Sequence, residues 1–238
     1  MVLSKRLTND IKKQVRRRNR IEIRTEKEIE KACEQYRDWV SEERKQGRKP
    51  VTVIAEGDSW TRYIIGNGLI YYLEDLLDTR ILNLAFPGDE VREMVSPDQI
   101  NRLKRELRRG PSRRLKYDYM VFSGGGNDLV GADRFHKWLH PYQRGMDATE
   151  VLNRKAIRAA FSLLDEGYEE IIAARDRFSS RTHLLFHGYD FAIPNGKGVC
   201  GRGPWLKPGL DMRKVPAKLR REVVKLFLQE FDKLLDRI

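Results

Sequence analysis

Four short runs rich in β-branched, aliphatic and aromatic residues, most of them closed by glycine or proline, govern what this chain can fold into. VTVIAE (51–56) runs into Gly57, and RILNLA (80–85) is closed by Pro87-Gly88. YDYMVFS (117–123) is closed by Gly124-Gly125-Gly126, and THLLFH (182–187) is the fourth run. Short apolar runs bounded by turn residues read as strands, and VTVIAE before Gly57 has the signature of a buried one. Between them lie helical stretches. Residues 66–78 place Leu69, Tyr72, Leu73, Leu76 and Leu77 at helical spacing, residues 96–110 form a very basic helix, and a long helix is expected over 148–178. A Gly/Pro-rich loop covers 192–211. A final amphipathic helix over 215–238 has Val223, Leu226, Phe227, Phe231, Leu234 and Leu235 among its apolar positions. Strands alternating with helices predict an α/β fold with a mostly parallel sheet between helical layers. Ligands of such sheets bind beyond the carboxyl ends of the strands, so the segments that follow the strands are where chemistry is sought.

Hydrophobic residues make up 40% of the 238, enough for a real core and against wholesale disorder. No run of about 18 apolar residues occurs, which excludes a membrane-spanning helix. The opening MVLSKRLTND has no apolar stretch of the kind a secretory signal needs, so a cytoplasmic location is expected. Two cysteines, Cys33 and Cys200, cannot build a disulfide framework or a four-thiolate zinc site. The formal charge is +12 and unevenly spread: residues 1–20 hold eight Lys/Arg and one Asp, whereas 21–50 are balanced at eight of each sign. Residues 1–50 are read as a basic helical extension, helical over 8–46 with alternating charges on a solvated face and ended at GRKP (47–50). Residues 51–238 are read as the α/β domain.

The first strand leads into Gly57-Asp58-Ser59-Trp60. A serine at a strand-to-helix turn has its hydroxyl exposed at the carboxyl end of the strand, and Gly57 allows the tight turn. A following helix would bring free N–H groups close to that hydroxyl. The same tripeptide is also a good turn and cap sequence. The second strand leads into Gly88, whose N–H is open to a ligand, and the third into Gly125, Asn127 and Asp128, with Asn127 offering a side-chain amide. Taken singly these read as ordinary turns. Together, the N–H groups of Ser59 and Gly88 and the amide of Asn127 could make a three-donor oxyanion hole, in which each donor is worth about 10²–10³ in rate.

In that order, each after a predicted strand, Gly-Asp-Ser, then Gly, then Gly-x-Asn-Asp resembles the SGNH (GDSL) hydrolase family. His187-Gly188-Tyr189-Asp190 and Gly203-Pro204-Trp205-Leu206 look like one bacterial branch of it, so the resemblance spans 51–238. It implies a flavodoxin-like three-layer α/β/α sandwich and ester hydrolysis through an acyl-serine, with neither metal nor organic cofactor. It implies Ser59 as nucleophile, Gly88 as backbone donor and Asn127 as side-chain donor. It also implies Gly125 opening the third block and Asp128 holding that loop rather than reacting. Gly57, Asp58 and Trp60 support the pocket. The expected strand order is 2-1-3-4, with the fifth place empty or supplied from elsewhere. The substrate is expected to be a small ester of unspecified identity.

A serine needs a base. The family supplies it from an Asp-x-x-His block after a last strand, and neither occurs here. Asp133-Arg134-Phe135-His136 has the right letters but comes too early. His140 precedes Pro141 and reads as a surface or capping residue, and His183 opens a strand. His187 ends the fourth strand on the rim that carries Ser59. It is read first as a residue bonding the neighbouring loop and shaping the pocket wall, and second as a base. The expectation is a sequence that is a shortened piece of a longer protein. The alternatives are a histidine from another subunit or position, or a domain that keeps only a binding pocket.

Residues 101–116 add eight Lys/Arg against Glu106 alone. With 1–20 they form two basic stretches lacking aromatics, read as solvated helix faces ahead of a nucleic-acid surface or an anion-steering rim. Trp60, Tyr63, Tyr71 and Tyr72 are read as a mixture of core and pocket wall, with packing the main role of Trp60. Trp205 is read as closing the rim, and Cys200 as an incidental thiol.

Overall fold

The computed structural model describes residues 26–62, 68–112, 114–131, 133–198 and 203–238. In chain order the elements are α1 (Glu26–Lys45), β1 (Val53–Gly57), α2 (Leu69–Leu77), β2 (Ile81–Asn83), α3 (Val91–Met94), α4 (Pro97–Arg109) and β3 (Tyr119–Ser123). There follow α5 (Gly126–Leu129), a 3₁₀ turn (Phe135–Trp138), α6 (Ala148–Val151), α7 (Arg154–Ser179), β4 (His183–Phe186), α8 (Lys207–Met212) and α9 (Ala217–Leu235). The chain forms two compact units. One comprises Met1–Asp89, Pro97–Ser123 and Ala174–Leu185, and the other Glu90–Ser96, Gly124–Ala173 and Phe186–Ile238.

The first unit holds the sheet, in the expected order β2-β1-β3-β4. β1 pairs in parallel with β2 (Val53 opposite Ile81) and with β3 (Val53 opposite Tyr119). The His183 N–H donates to the Asp118 carbonyl, tying the start of β4 beside the start of β3. All five residues of β1 are buried, as a central parallel strand requires. Alternate side chains leave a strand on opposite faces. Val53 and Ala55 join Ile81, Val121 and Ile70, with Leu69 and Leu73 packed against them, so α2 covers that face. The other face carries Ile54, Glu56, Met120 and Phe122, all fully buried, and α4 contributes Ile100, Leu103 and Leu107 to the core. This is the α/β class the sequence predicts, with helices on both sides of a mostly parallel sheet.

α1 lies on a buried stripe of Ile29, Cys33, Tyr36 and Val40, at helical spacing along one face. The Val53 N–H donates to the Tyr36 hydroxyl at 3.0 Å, and Arg37 pairs with the buried Glu106 at 2.6 Å. Residues 1–25, which carry most of the net charge and the start of the expected 8–46 helix, lie outside the described residues.

The second unit is helical. Val223, Val224, Phe227, Leu228, Phe231 and Leu234 form the buried face of α9, and Phe227 meets Phe135 edge to face at 5.2 Å. The single helix expected over 148–178 is two, because Asn153 starts a new one: its Oδ1 accepts the Ala156 N–H at 3.1 Å. The apolar face expected for residues 66–78 also needs correcting. Only Ile70 of α2 is fully buried, while Tyr72 and Leu76 are 61% and 80% exposed. The helix meets the sheet through the 69/70/73 row, and the other apolar positions lie outside it.

The basic helix α4 is not wholly a solvated face. Arg102 is buried, and the Lys116 ammonium donates to the carbonyls of Leu107, Arg108 and Phe178 at the ends of α4 and α7. Cys33 is a free, buried thiol whose pKa is pushed up to about 12 by burial and then by Glu106. Cys200 and Tyr63 lie outside the described residues. Among the described residues no helix is long and apolar enough to cross a membrane, and no cluster of potential metal ligands occurs.

Candidate functional site

The turn after β1 is built by its neighbours. Gly57 lies at φ +148°, and a Cβ there would overlap the Ser123 carbonyl and fall 2.9 Å from the Ser123 nitrogen. Only glycine lets β1 and β3 approach so closely. The Asp58 side chain is buried, and its Oδ1 accepts from the Ser123 hydroxyl at 2.8 Å and from the Trp60 N–H at 3.0 Å. The Asp58 N–H donates to the Ser123 carbonyl at 3.1 Å. Asp58 is therefore a clamp between the turn and β3. Its carboxylate already takes two donors, which ties it to structure rather than to proton transfer.

Ser59 is held inside this clamp, half-buried. Among the described residues neither its hydroxyl nor its N–H makes a hydrogen bond. The loop after β2 runs alongside: the Leu84 N–H donates to the Ala55 carbonyl at 2.8 Å and the Phe86 N–H to the Gly57 carbonyl at 3.0 Å. Gly88, exposed in this loop, likewise has an N–H with no partner among the described residues. The first unit thus brings together two loops at the carboxyl ends of adjacent parallel strands. One carries an uncommitted hydroxyl and amide, the other an uncommitted amide. Trp60 is 53% exposed, so its side chain is not core packing, and Tyr71 and Tyr72 are exposed as well.

Asn127 and Asp128 lie in the second unit, on the short helix α5. Gly125 precedes it, and a Cβ there would meet the Phe231 ring at 2.9–3.0 Å. Asn127 is half-buried and its carbonyl accepts from Arg134 at 3.2 Å. Both carboxylate oxygens of Asp128 accept the Val91 N–H, at 3.1 and 3.2 Å, which pins α3 to α5. Burial raises the Asp128 pKa to about 6; the Val91 N–H and Arg134 oppose the rise and Glu90 adds to it.

The histidines separate by place. His183 sits at the amino-terminal end of β4, the wrong end of a strand for this rim. His136 lies in the 3₁₀ turn, its Nδ1 buried without a hydrogen bond, and His140 is exposed. His187 in the second unit has Nδ1 3.0 Å from the Gly188 carbonyl, and its ring meets Tyr189 edge to face at 5.6 Å. A carbonyl oxygen only accepts, so Nδ1 is the donor in that bond.

Three residues were not singled out from sequence. Ser123 reads as the last letter of a strand, yet it clamps Asp58. Glu56 is a carboxylate inside an otherwise apolar strand, a signal present in VTVIAE. Arg102 reads as one cation among eight, yet its side chain lies in the core.

No protein-family model and no curated protein matches this chain. Solved structures do. The chain is similar to phospholipase A1 from Streptomyces albidoflavus NA297, at 13% identity over 79% of this chain and 75% of that one, with a TM-score of 0.47. It is also similar to a GDSL-like lipase from Parabacteroides merdae, at 15% identity over 77% and 75%, TM-score 0.35. A third is described as an SGNH hydrolase, from Slackia heliotrinireducens, at 14% identity over 79% and 76%, TM-score 0.39. The last two bear the name of the family whose motifs the sequence resembles.

Proposed function

We propose that this chain is a serine ester hydrolase of the SGNH type. The observation that carries the reading is the pair of adjacent loops after β1 and β2. There the Ser59 hydroxyl and the N–H groups of Ser59 and Gly88 have no hydrogen-bond partner among the described residues, while Asp58 and Gly57 fix the turn that presents them.

In the proposed reaction the Ser59 oxygen bonds to an ester carbonyl carbon and its proton passes to a base. The carbonyl oxygen takes the negative charge, met by the Ser59 and Gly88 N–H groups. Asn127, assigned by its place in the motif order, is the third donor. Collapse of this intermediate breaks the bond to the alcohol, which leaves with the proton from the base. Water then repeats the sequence on the acyl-serine and releases the acid. Asp128 holds its loop through the Val91 N–H. His187 enters as a pocket residue, and no residue is assigned as the base. Neither metal nor organic cofactor enters the scheme.

A fluorophosphonate probe tests the reading, because it forms a stable bond with an activated serine. Labelling that maps to Ser59, together with p-nitrophenyl acetate turnover lost in Ser59→Ala, is the expected result. A chain that shows neither is a binding module rather than a competent hydrolase.

A further inference from the structure

Glu56 has no part in the chemistry above, yet it is fully buried in β1, directly before the Gly57-Asp58-Ser59 turn. Its Oε1 accepts the Gly57 N–H at 3.0 Å, and its Oε2 has no hydrogen-bond partner. Burial pushes the pKa of Glu56 up to about 7. Arg102 and the Gly57 N–H pull it back, and Asp89 raises it further.

Those same groups reach the second loop. Arg102 comes from α4, 3% exposed, with its guanidinium 5.0 Å over the Phe86 ring and Nη2 3.3 Å from Gln99 Oε1. Gln99 in turn donates to Asp89 Oδ2 at 2.6 Å. Phe86 and Asp89 flank Gly88 on either side, and the Phe86 N–H bonds back to the Gly57 carbonyl. A chain of contacts therefore runs from Glu56 through the Gly57 backbone, Phe86, Arg102 and the half-buried Gln99 to Asp89, beside Gly88.

We infer that Glu56 and Arg102 are a positioning pair that sets the spacing of the Ser59 and Gly88 amides. With Glu56 ionised, its charge and that of Arg102 attract each other. With Glu56 protonated that attraction is lost, and Arg102, joined to Asp89 through Gln99, shifts with the loop that carries Gly88. The charges that act on Glu56 are those of Arg102 from α4 and Asp89 from the loop after β2, with the Gly57 N–H from its own strand bonded to it. The catalytic meaning of this spacing rests on the oxyanion roles proposed above; the mechanical coupling of the two loops does not.

The test follows the backbone amides of the whole chain by NMR between pH 5 and 8.5. In the wild type, Gly57, Ser59 and Gly88 are expected to share one inflection near 7. Glu56→Gln keeps an acceptor for Gly57 and abolishes the inflection. Arg102→Met removes an opposing positive charge and moves it to higher pH, while Arg102→Lys, which keeps the charge, moves it less. A Gly88 amide that does not titrate with Gly57, or an inflection that survives in Glu56→Gln, overturns the pair. Fluorophosphonate labelling is read on the same samples, with Arg102→Met expected to react about tenfold more slowly as the donors lose their spacing. Labelling of Ser59 without the shared inflection removes the pair and leaves the hydrolase reading standing. A shared inflection without labelling does the reverse.

Discussion

Gly57→Ala is the substitution whose cost the structure specifies most directly. The added Cβ would overlap the Ser123 carbonyl and stand 2.9 Å from the Ser123 nitrogen. Both are backbone atoms of β3, so no side chain can swing aside. The two central strands must part or the turn must move, and overpacking of this kind costs about 1–3 kcal/mol. The φ of +148° adds a backbone penalty of about 1–3 kcal/mol, because that region is almost closed to residues with a Cβ. The expected loss is roughly 4 kcal/mol. With a urea m-value of about 3 kcal/mol/M, the unfolding midpoint should fall by roughly 1.3 M. Gly47→Ala separates the two contributions, since Gly47 has φ +77° and nothing within 4 Å of a built Cβ. It carries the backbone penalty alone and should shift the midpoint by less than half as much. Equal shifts in the two variants would refute the claim that the approach of β3 dictates glycine at 57.

Two further outcomes follow from buried charges. Arg37→Met leaves Glu106, 1% exposed, without its 2.6 Å partner; Arg105 and Arg109, at 3.7 and 3.9 Å from Glu106, soften the loss. The expected destabilisation is therefore below the ~3–5 kcal/mol of an unrelieved buried ion, and Arg37→Met combined with Glu106→Gln should recover part of it in urea denaturation. Asp128, with a pKa raised to about 6, binds its proton more tightly in the folded state than in the unfolded chain, where the value is about 3.9. The folded state is therefore favoured at low pH, and that advantage is lost as pH rises from about 4 to 6. Asp128→Asn should abolish this component of the stability profile, measured as urea midpoints across that window against the wild type.

What the sequence makes legible follows from how many residues each feature depends on. The strands read clearly, because their apolar runs stand apart from the helical spacing of the crossovers, whereas their order comes with the family resemblance. The segments after β1 and β2 are likewise legible as loops at strand ends. The break between α6 and α7 hangs on one side chain, Asn153, so the apolar period passes over it. The outward-facing Tyr72 and Leu76 have the same letters as core residues, and only the sheet decides which row of α2 is covered.

Glycines show the limit most sharply. Gly57 and Gly125 are both required by close approach, one by the backbone of β3 and the other by the ring of Phe231 in α9. The letter announces that something comes near without saying what. For titratable groups even that announcement is missing. Arg102 differs from its basic neighbours in α4 only by facing the core, where Phe86 and Gln99 receive it and the charge of Glu56 meets it. Its role is a property of contacts between positions far apart in the chain, and a helix counted for its net charge hides it among residues that face water.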